Sequence, residues 1–472
     1  MTVTGLPTLS LQLTRARFAA REGESLLYLA SIAAYTVASA LALTVAGGTW
    51  MFYSRWQQPY GMLAEVIAID ASFEPVMMFY FVLALIACAM LVPSILTLAS
   101  GAAVLGARGR ERRLSALRLI GLSSGDVTRM SLIDTLILSA IGTAAGFAIY
   151  AVTLPLWHRL TFTAMPIQAH EMWLPWWLLL AVTVAVPAIG LLATFWGLRQ
   201  VRISPLGVSR RTNKPPMRLW RVLFFLGLLA VAYVALRMVN PGGGLQAYLV
   251  LAGVMFVVIQ GINMVGPWLL QVEARLVSQW PWASTMCAAR RIAADPKQTW
   301  ARVSSLGLLS LIAGYVSTMP LELSTGGHEE LTNFAMASRW DFTKGVMITL
   351  AVGLVLTATS ILITQASAVF ERAEQTRALA KMGASPSFLT RVMWLETVAP
   401  VAVAVLLGYG LGVALAWPMV QFASKFGFEA PLAGQLVMGG IIVAGLALAA
   451  GAVAACLPLQ RQVLDEQRRA ND

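Results

Sequence analysis

The sequence predicts an all-α polytopic membrane protein: two tandem four-helix units joined by a two-helix hairpin. Three observations lead there. Of 472 residues, 58% are hydrophobic and only 12% charged, whereas soluble domains carry about a quarter charged residues. Ten segments stay apolar over the roughly 20 residues that a helix needs to cross a bilayer. A stretch between two of them recurs without a gap: laying Gly121 on Gly383 pairs Arg110 with Arg372, Leu117 with Leu379, Ser123 with Ser385, Arg129 with Arg391 and Thr135 with Thr397. The same register later pairs Gly146 with Gly408 and Arg199-Gln200-Val201 with Arg461-Gln462-Val463.

Residues 1–25 carry Arg15, Arg17 and Arg21 among Leu9, Leu11, Leu13 and Phe18, with no apolar core. That pattern is an amphipathic arm lying on the cytoplasmic surface, or a polar tail, and not a cleavable signal peptide. The first unit covers 26–201 and holds spans at about 26–48, 76–105, 135–157 and 173–198. A basic linker follows at 202–219. Spans at 220–238 and 245–270, joined through Pro241-Gly242-Gly243-Gly244, form the central hairpin 220–270. A basic cytoplasmic loop is expected at 271–302. The second unit, 303–463, holds spans at 303–321, 345–369, 394–420 and 434–459, and 464–472 is a tail.

The net charge of +12 belongs to this topology and not to a nucleic-acid partner. The arm, 106–134, 199–219, 271–302, 370–393 and the tail hold nearly all Lys and Arg. The opposite loops hold few (Arg55, Arg159, Arg339, Lys344 and Lys425) against acids such as Glu65, Asp70, Glu74, Glu329, Glu330 and Asp341. Both termini are therefore expected in the cytoplasm. Trp50, Trp56, Trp173, Trp176 and Trp177 fall at the outer interface, where indole rings concentrate. Cys88, Cys287 and Cys456 are expected to pack, not to form an extracellular disulfide.

The repeated stretch reads as a coupling elbow, at 108–134 and again at 370–396. Arg110, Glu111 and Arg113 precede Leu114, Leu117 and Ile120, with Arg118 on another face: an amphipathic helix. Gly121, like Gly383, can end it in a left-handed conformation. Ser123 and Ser385 fit as N-caps of the helix that enters the membrane. The third helices carry Gly142-x-x-x-Gly146 and Gly408-x-x-x-Gly412, a spacing that lets helices approach closely. Asp134 and Glu396 admit two readings, pairing with elbow cations or anchoring a helix start. Gln260 and Asn263 suit hydrogen bonding between helices. His158, His170 and His328 have no metal-site spacing. Phe162, Met165, Phe422, Phe426 and Phe428 in the paired outer loops either face an amphiphile or cap the bundle.

A charged helix, Leu-Arg-x-x-Gly at Leu117 to Gly121, a short turn and a membrane helix resemble the signature of FtsX-like permeases, the membrane subunits of MacB/FtsX/Lol-type ABC transporters. The second copy, Leu379 to Gly383, has Ala380 and Lys381 where the first has Arg118 and Leu119. Two such units joined by a helical pair are similar to Bce-type peptide-resistance permeases, whose large extracellular domain is here replaced by about Glu322 to Lys344. The resemblance implies a multi-pass permease of the bacterial cytoplasmic membrane, in contact with lipid and an amphipathic substrate. It implies two copies of a separate ATPase docking on Arg110, Glu111, Arg113, Leu117, Arg118, Gly121, Ser123 and Arg129, and on Arg372, Glu374, Leu379, Gly383, Ser385 and Arg391. ATP and Mg would be bound by that partner: this chain has no GxxxxGK[ST] loop, no expected cofactor or metal and no catalytic cluster. Export or membrane extraction of a peptide antibiotic, lipid or drug is the leading expectation. An FtsX-like regulator of an extracellular cell-wall enzyme and an ATP-independent secondary transporter are the alternatives; the second would normally need ionisable groups near the membrane midplane.

Overall fold

The computed structural model describes residues 24–69, 74–108, 124–203, 220–238, 244–318, 334, 338, 340–371, 373–424 and 432–460. The helices of the first unit are α1 (Glu24–Gln57), α2 (Met62–Ile69), α3 (Glu74–Arg108), α4 (Ser124–Thr153), α5 (Ala169–Met172) and α6 (Trp176–Ile203). A 3-10 turn (Leu154–Arg159) and a two-stranded hairpin, β1 (Thr161–Phe162) and β2 (Met165–Pro166), lie between α4 and α5. Then come α7 (Trp220–Met238), α8 (Gly244–Val277) and α9 (Ala283–Ala294). The second unit holds α10 (Pro296–Thr318), α11 (Asp341–Glu371), α12 (Ala373–Lys381), α13 (Pro386–Ser424) and α14 (Leu432–Ala454).

Among the described residues, seven stretches are long and apolar enough to cross a membrane: Tyr28–Gln57, Val76–Leu105, Thr128–Arg159, Trp176–Trp196, Asp341–Val369, Pro386–Ala414 and Leu432–Gln460. The protein is thus an all-α multi-pass membrane protein. The remaining expected spans lie in α7, α8 and α10, helices outside that set. Each span is apolar on every face, one side packing on neighbours and the other exposing residues such as Leu180, Val184, Leu406 and Leu436, as lipid contact requires. Helix is the form that satisfies every backbone group within its own segment when water is absent. Threonine hydroxyls do the same, Thr36, Thr44, Thr49 and Thr349 each donating to the carbonyl four residues back.

Within the first unit α1 packs on α3 and α4, and α6 on α4 and α3; within the second, α10 packs on α13 and α11, and α14 on α11. The units meet through α3 and α11, with α1 against α11 and α10 against α3. One core, including Tyr35, Leu91, Leu98, Leu306, Leu309 and Leu356, runs across both. Helix α8 packs on α3 and α10, and Trp300 of α10 donates its indole N–H to Asn263 Oδ1 of α8 at 3.1 Å. Residues 271–302 are largely helical where a loop was expected: α8 runs on to Val277, and α9 packs on α13. The reason is that α9 is amphipathic, burying Ala288 and Ala289 while Arg290 stays exposed, so its charge count alone suggested a loop.

The α1–α4 and α10–α13 pairs are the tightest, and glycine is why. A Cβ on Gly146 would lie 2.7 Å from Thr36 O, and one on Gly142 2.4 Å from Tyr35 Cβ. On the other side, Cβ atoms on Gly408 and Gly412 would fall within 2.3 Å of Gly307 O and 2.0 Å of Leu311 O. Backbone therefore lies directly on backbone in each unit, the small-residue packing that membrane helices use.

Candidate functional site

Two regions stand out, at opposite ends of the bundle. At one end is the elbow. Helix α12 closes with Gly383 at φ +91°, where its N–H donates to Ala380 O at 3.0 Å and the Ala384 N–H to Leu379 O at 3.0 Å. These two bonds form the glycine C-cap of a helix. Ser385 then accepts the Phe388 N–H on its Oγ at 3.2 Å, and Pro386 stands at the first helical position, where its missing N–H costs nothing. Gly383, Ser385, Met382 and Arg391 are exposed, and Leu379 is half-buried. Arg372 lies outside the described residues, and only the backbone of Glu374 is described.

The first elbow's Arg110, Glu111, Arg113, Leu117, Arg118, Gly121 and Ser123 also lie outside the described residues; Arg129 sits exposed on α4. Behind the second elbow, Arg291 of α9 reaches Glu396 of α13 at 3.2 Å. Gln365 of α11 donates to Thr397, whose counterpart Thr135 bonds Thr194 of α6 at 3.1 Å. Each third helix is thus tied, just inside its elbow, to another helix of its unit.

At the other end the hairpin 160–172 lies across the junction of the units. Arg55, at the end of α1, is 1% exposed and uses all five of its donors there. Its Nε and Nη2 reach Glu171 Oε1 and Oε2, both at 2.7 Å. Its Nη1 reaches Phe162 O at 2.6 Å and Thr163 Oγ1 at 2.9 Å, and Nη2 also reaches Pro166 O at 3.0 Å. A charge that deep is tolerable only when paired and fully hydrogen-bonded. Burial alone would raise the Glu171 carboxyl, but the Arg55 bonds and charge and the Gln168 N–H outweigh it and hold it below its ordinary value.

The turn of this hairpin, Thr163-Ala164, has φ +54° and +62°, a mirror-image turn that usually takes Asn-Gly. It persists because its surroundings fix it. The Thr163 N–H donates to Asp341 Oδ2 at 2.7 Å, and Lys344 Nζ reaches Thr161 O at 2.8 Å and Asp341 Oδ1 at 3.1 Å. Asp341 and Lys344 belong to α11, so a loop of the first unit is anchored on the second.

Beneath the hairpin is a cavity of about 240 Å³ between the units. Its walls are the adjoining turns of α1 (Val45, Met51), α3 (Leu83, Met90), α10 (Leu309, Ile312) and α11 (Val346, Val352), and Phe162 and Met172 close its top. Of the residues expected to face a substrate, Phe162 lines it. Met165 instead packs with Leu63, Val66, Met77 and Phe334. Phe426 and Phe428 lie outside the described residues, and Phe422 ends α13 with no side chain described. His158 and His170 are exposed.

Sequence reading placed Arg55, Asp341 and Lys344 only as loop charges and gave Glu171 no role. Their partners are 116 and 178 positions away, beyond any local pattern. The one available signal was Arg55 itself, an arginine closing an apolar segment with no acid within one helical turn before it.

Both halves match the same family model. The FtsX-like permease C-terminal model fits residues 102–206 and again 347–463, the first from the end of α3 through α6 and the second from α11 to beyond α14. No curated protein matches the chain.

Proposed function

We propose, from two FtsX-like permease segments in one multi-pass chain, that this permease-type membrane subunit couples ATP hydrolysis in separate ATPase subunits to export or membrane extraction of an amphipathic substrate. The observation that carries the reading is the apolar cavity between the units, at the end of the bundle opposite the elbow. Two ATPase copies, which would bind the ATP and Mg, dock on the elbows at 108–134 and 370–396. The elbow end faces the cytoplasm and the hairpin end the outside of a bacterial cytoplasmic membrane, on the distribution of Lys and Arg. Ten spans with both termini inside fit that distribution.

The mechanism follows from what is stiff. Backbone-on-backbone contacts at Gly146 and Gly408 make each unit a body that moves as a whole. The junction between the bodies is α3 on α11, aliphatic along most of its length with Phe79 and Tyr80 on Phe342 at the hairpin end. Among the described residues it has no glycine-locked backbone contact of the kind seen inside each unit, so it is the seam along which the bodies shift. A push at an elbow is carried along α4 or α13, and the space between the bodies changes at the hairpin end. Substrate held there is squeezed outward, with no channel through the protein.

Affinity purification of the tagged chain from its native membrane tests this. An ATPase should co-purify, and its binding or activity should collapse in a Gly121→Pro, Gly383→Pro double variant that still inserts. Absence of any ATPase from mild-detergent eluates would sink the reading.

A further inference from the structure

We propose that the inter-unit cavity is selective for amphipathic cations, with the ammonium group seated on Asp341 and the apolar part lying between the units. This rests on the cavity being the substrate site, as argued above. Among the described residues that line the cavity, Asp341 is the one charged side chain, and it is 1% exposed. Every other contribution to that wall is apolar, aromatic, a threonine or a glycine. A carboxylate in a dry wall attracts a cation far more strongly than one in water, and repels an anion equally.

The protein itself displays how an ammonium is held there. Lys344 Nζ lies 3.1 Å from Asp341 Oδ1, 2.8 Å from Thr161 O and 5.7 Å from the centre of the Phe162 ring. One carboxylate, one carbonyl and one aromatic face make a built ammonium site. Lys344 enters it from the solvent side, its side chain 26% exposed against 0% for Asp341. A ligand cation arriving from the cavity side reaches the same carboxylate and lets Lys344 swing into water, where an ammonium is well hydrated. The buried charge is never left bare during the exchange.

Aromatic rings continue the site inward. Phe52, Tyr80 and Phe342 line the cavity in a row, with Phe52 and Tyr80 stacked at 5.8 Å and Tyr80 and Phe342 at 5.3 Å. Below them the lining is aliphatic down to Val352, about 16 Å from Asp341 along α11 at 1.5 Å per residue. That is roughly half of a 30 Å hydrocarbon layer, the depth over which an alkyl tail hung from an outer-surface charge would extend.

The test is equilibrium binding of radiolabelled decylammonium and of neutral decyl glucoside to the full chain in phosphatidylcholine nanodiscs, corrected for empty discs. Asp341→Asn keeps an acceptor for Thr163 but removes the charge. It should weaken the cation by about ten-fold, the loss of one charge-assisted contact, and leave the glucoside unchanged. Lys344→Gln removes the internal competitor and should tighten the cation several-fold; a merely structural Lys344–Asp341 pair would weaken binding in both variants. Leu91→Trp fills the cavity and should abolish both ligands. Loss of both ligands in Leu91→Trp with no effect of Asp341→Asn on the cation overturns the cation assignment and leaves the cavity reading standing. Unchanged binding of both ligands in Leu91→Trp overturns the cavity reading and the assignment with it.

Discussion

Arg55 and Glu171, 116 positions apart, form a two-pronged pair with both contacts at 2.7 Å and side chains only 1% and 4% exposed. The guanidinium hangs the whole 160–172 hairpin on the end of α1. Breaking a buried pair from one side leaves the other charge uncompensated, at a cost of about 3–5 kcal/mol. Arg55→Ala should therefore lower thermal stability by that order. Arg55→Lys, which cannot supply five donors in a plane, should recover only part of it. Reaction of buried Cys456 with a thiol dye during heating reads the transition.

The pH dependence of this pair has a definite sign. Glu171 is held below its ordinary value once folded, so its contribution is complete above the unfolded carboxyl value of about 4.3. It is lost as pH falls through the lower, folded value. Melting temperature should thus show no contribution from this group between about pH 5 and 8 and a decline on acidification below about pH 4, and Glu171→Gln should flatten that decline.

Helix α13 offers an internal control for the glycine contacts. A Cβ at Gly410 meets nothing within 4 Å, whereas one at Gly412 would fall 2.0 Å from Leu311 O. Gly410→Ala should be neutral or stabilising by up to about 1 kcal/mol, since alanine is the better helix former. Gly412→Ala forces α13 off α10 and should destabilise by about 1–3 kcal/mol. Equal melting temperatures for the two variants would remove the close-packing account.

The elbow glycine should separate coupling from folding. Gly383 sits at φ +91° with open space around it, so Gly383→Ala meets no clash and costs about 1–2 kcal/mol of backbone strain. Insertion should be retained, and melting should fall by no more than the few degrees that this strain accounts for. Stimulation of the proposed ATPase partner should fall several-fold, because the angle between α12 and α13 is what the glycine sets.

Much of this was legible in the chain. At the second elbow Gly383 followed by Ser385 spelled out a helix stop and a helix start, because these are local devices written in adjacent residues; the first elbow lies outside the described residues. Gly142 and Gly146 likewise announced a close approach, though not its partner, Tyr35 and Thr36 of α1. The hairpin end was opaque for a physical reason. Arg55, Asp341 and Lys344 look like ordinary loop charges until the fold brings together segments more than a hundred positions apart. Helix α9 was hidden by its charges, since a short amphipathic helix and a basic loop have the same composition.

The unequal anchoring of the hairpin gives the molecule a handedness that its duplicated sequence does not suggest. Five bonds to Arg55 fasten this flap to the first unit, while among the described residues its polar bonds to the second unit run through Asp341 and Lys344, beside the packing of Met165 on Phe334. In the proposed parting of the units the weaker seam would yield first, and the flap would travel with α1 like a door hung on one jamb. In the proposed cycle, equal forces on the two units would therefore open the flap on the α11 side, giving a one-sided exit from a duplicated sequence.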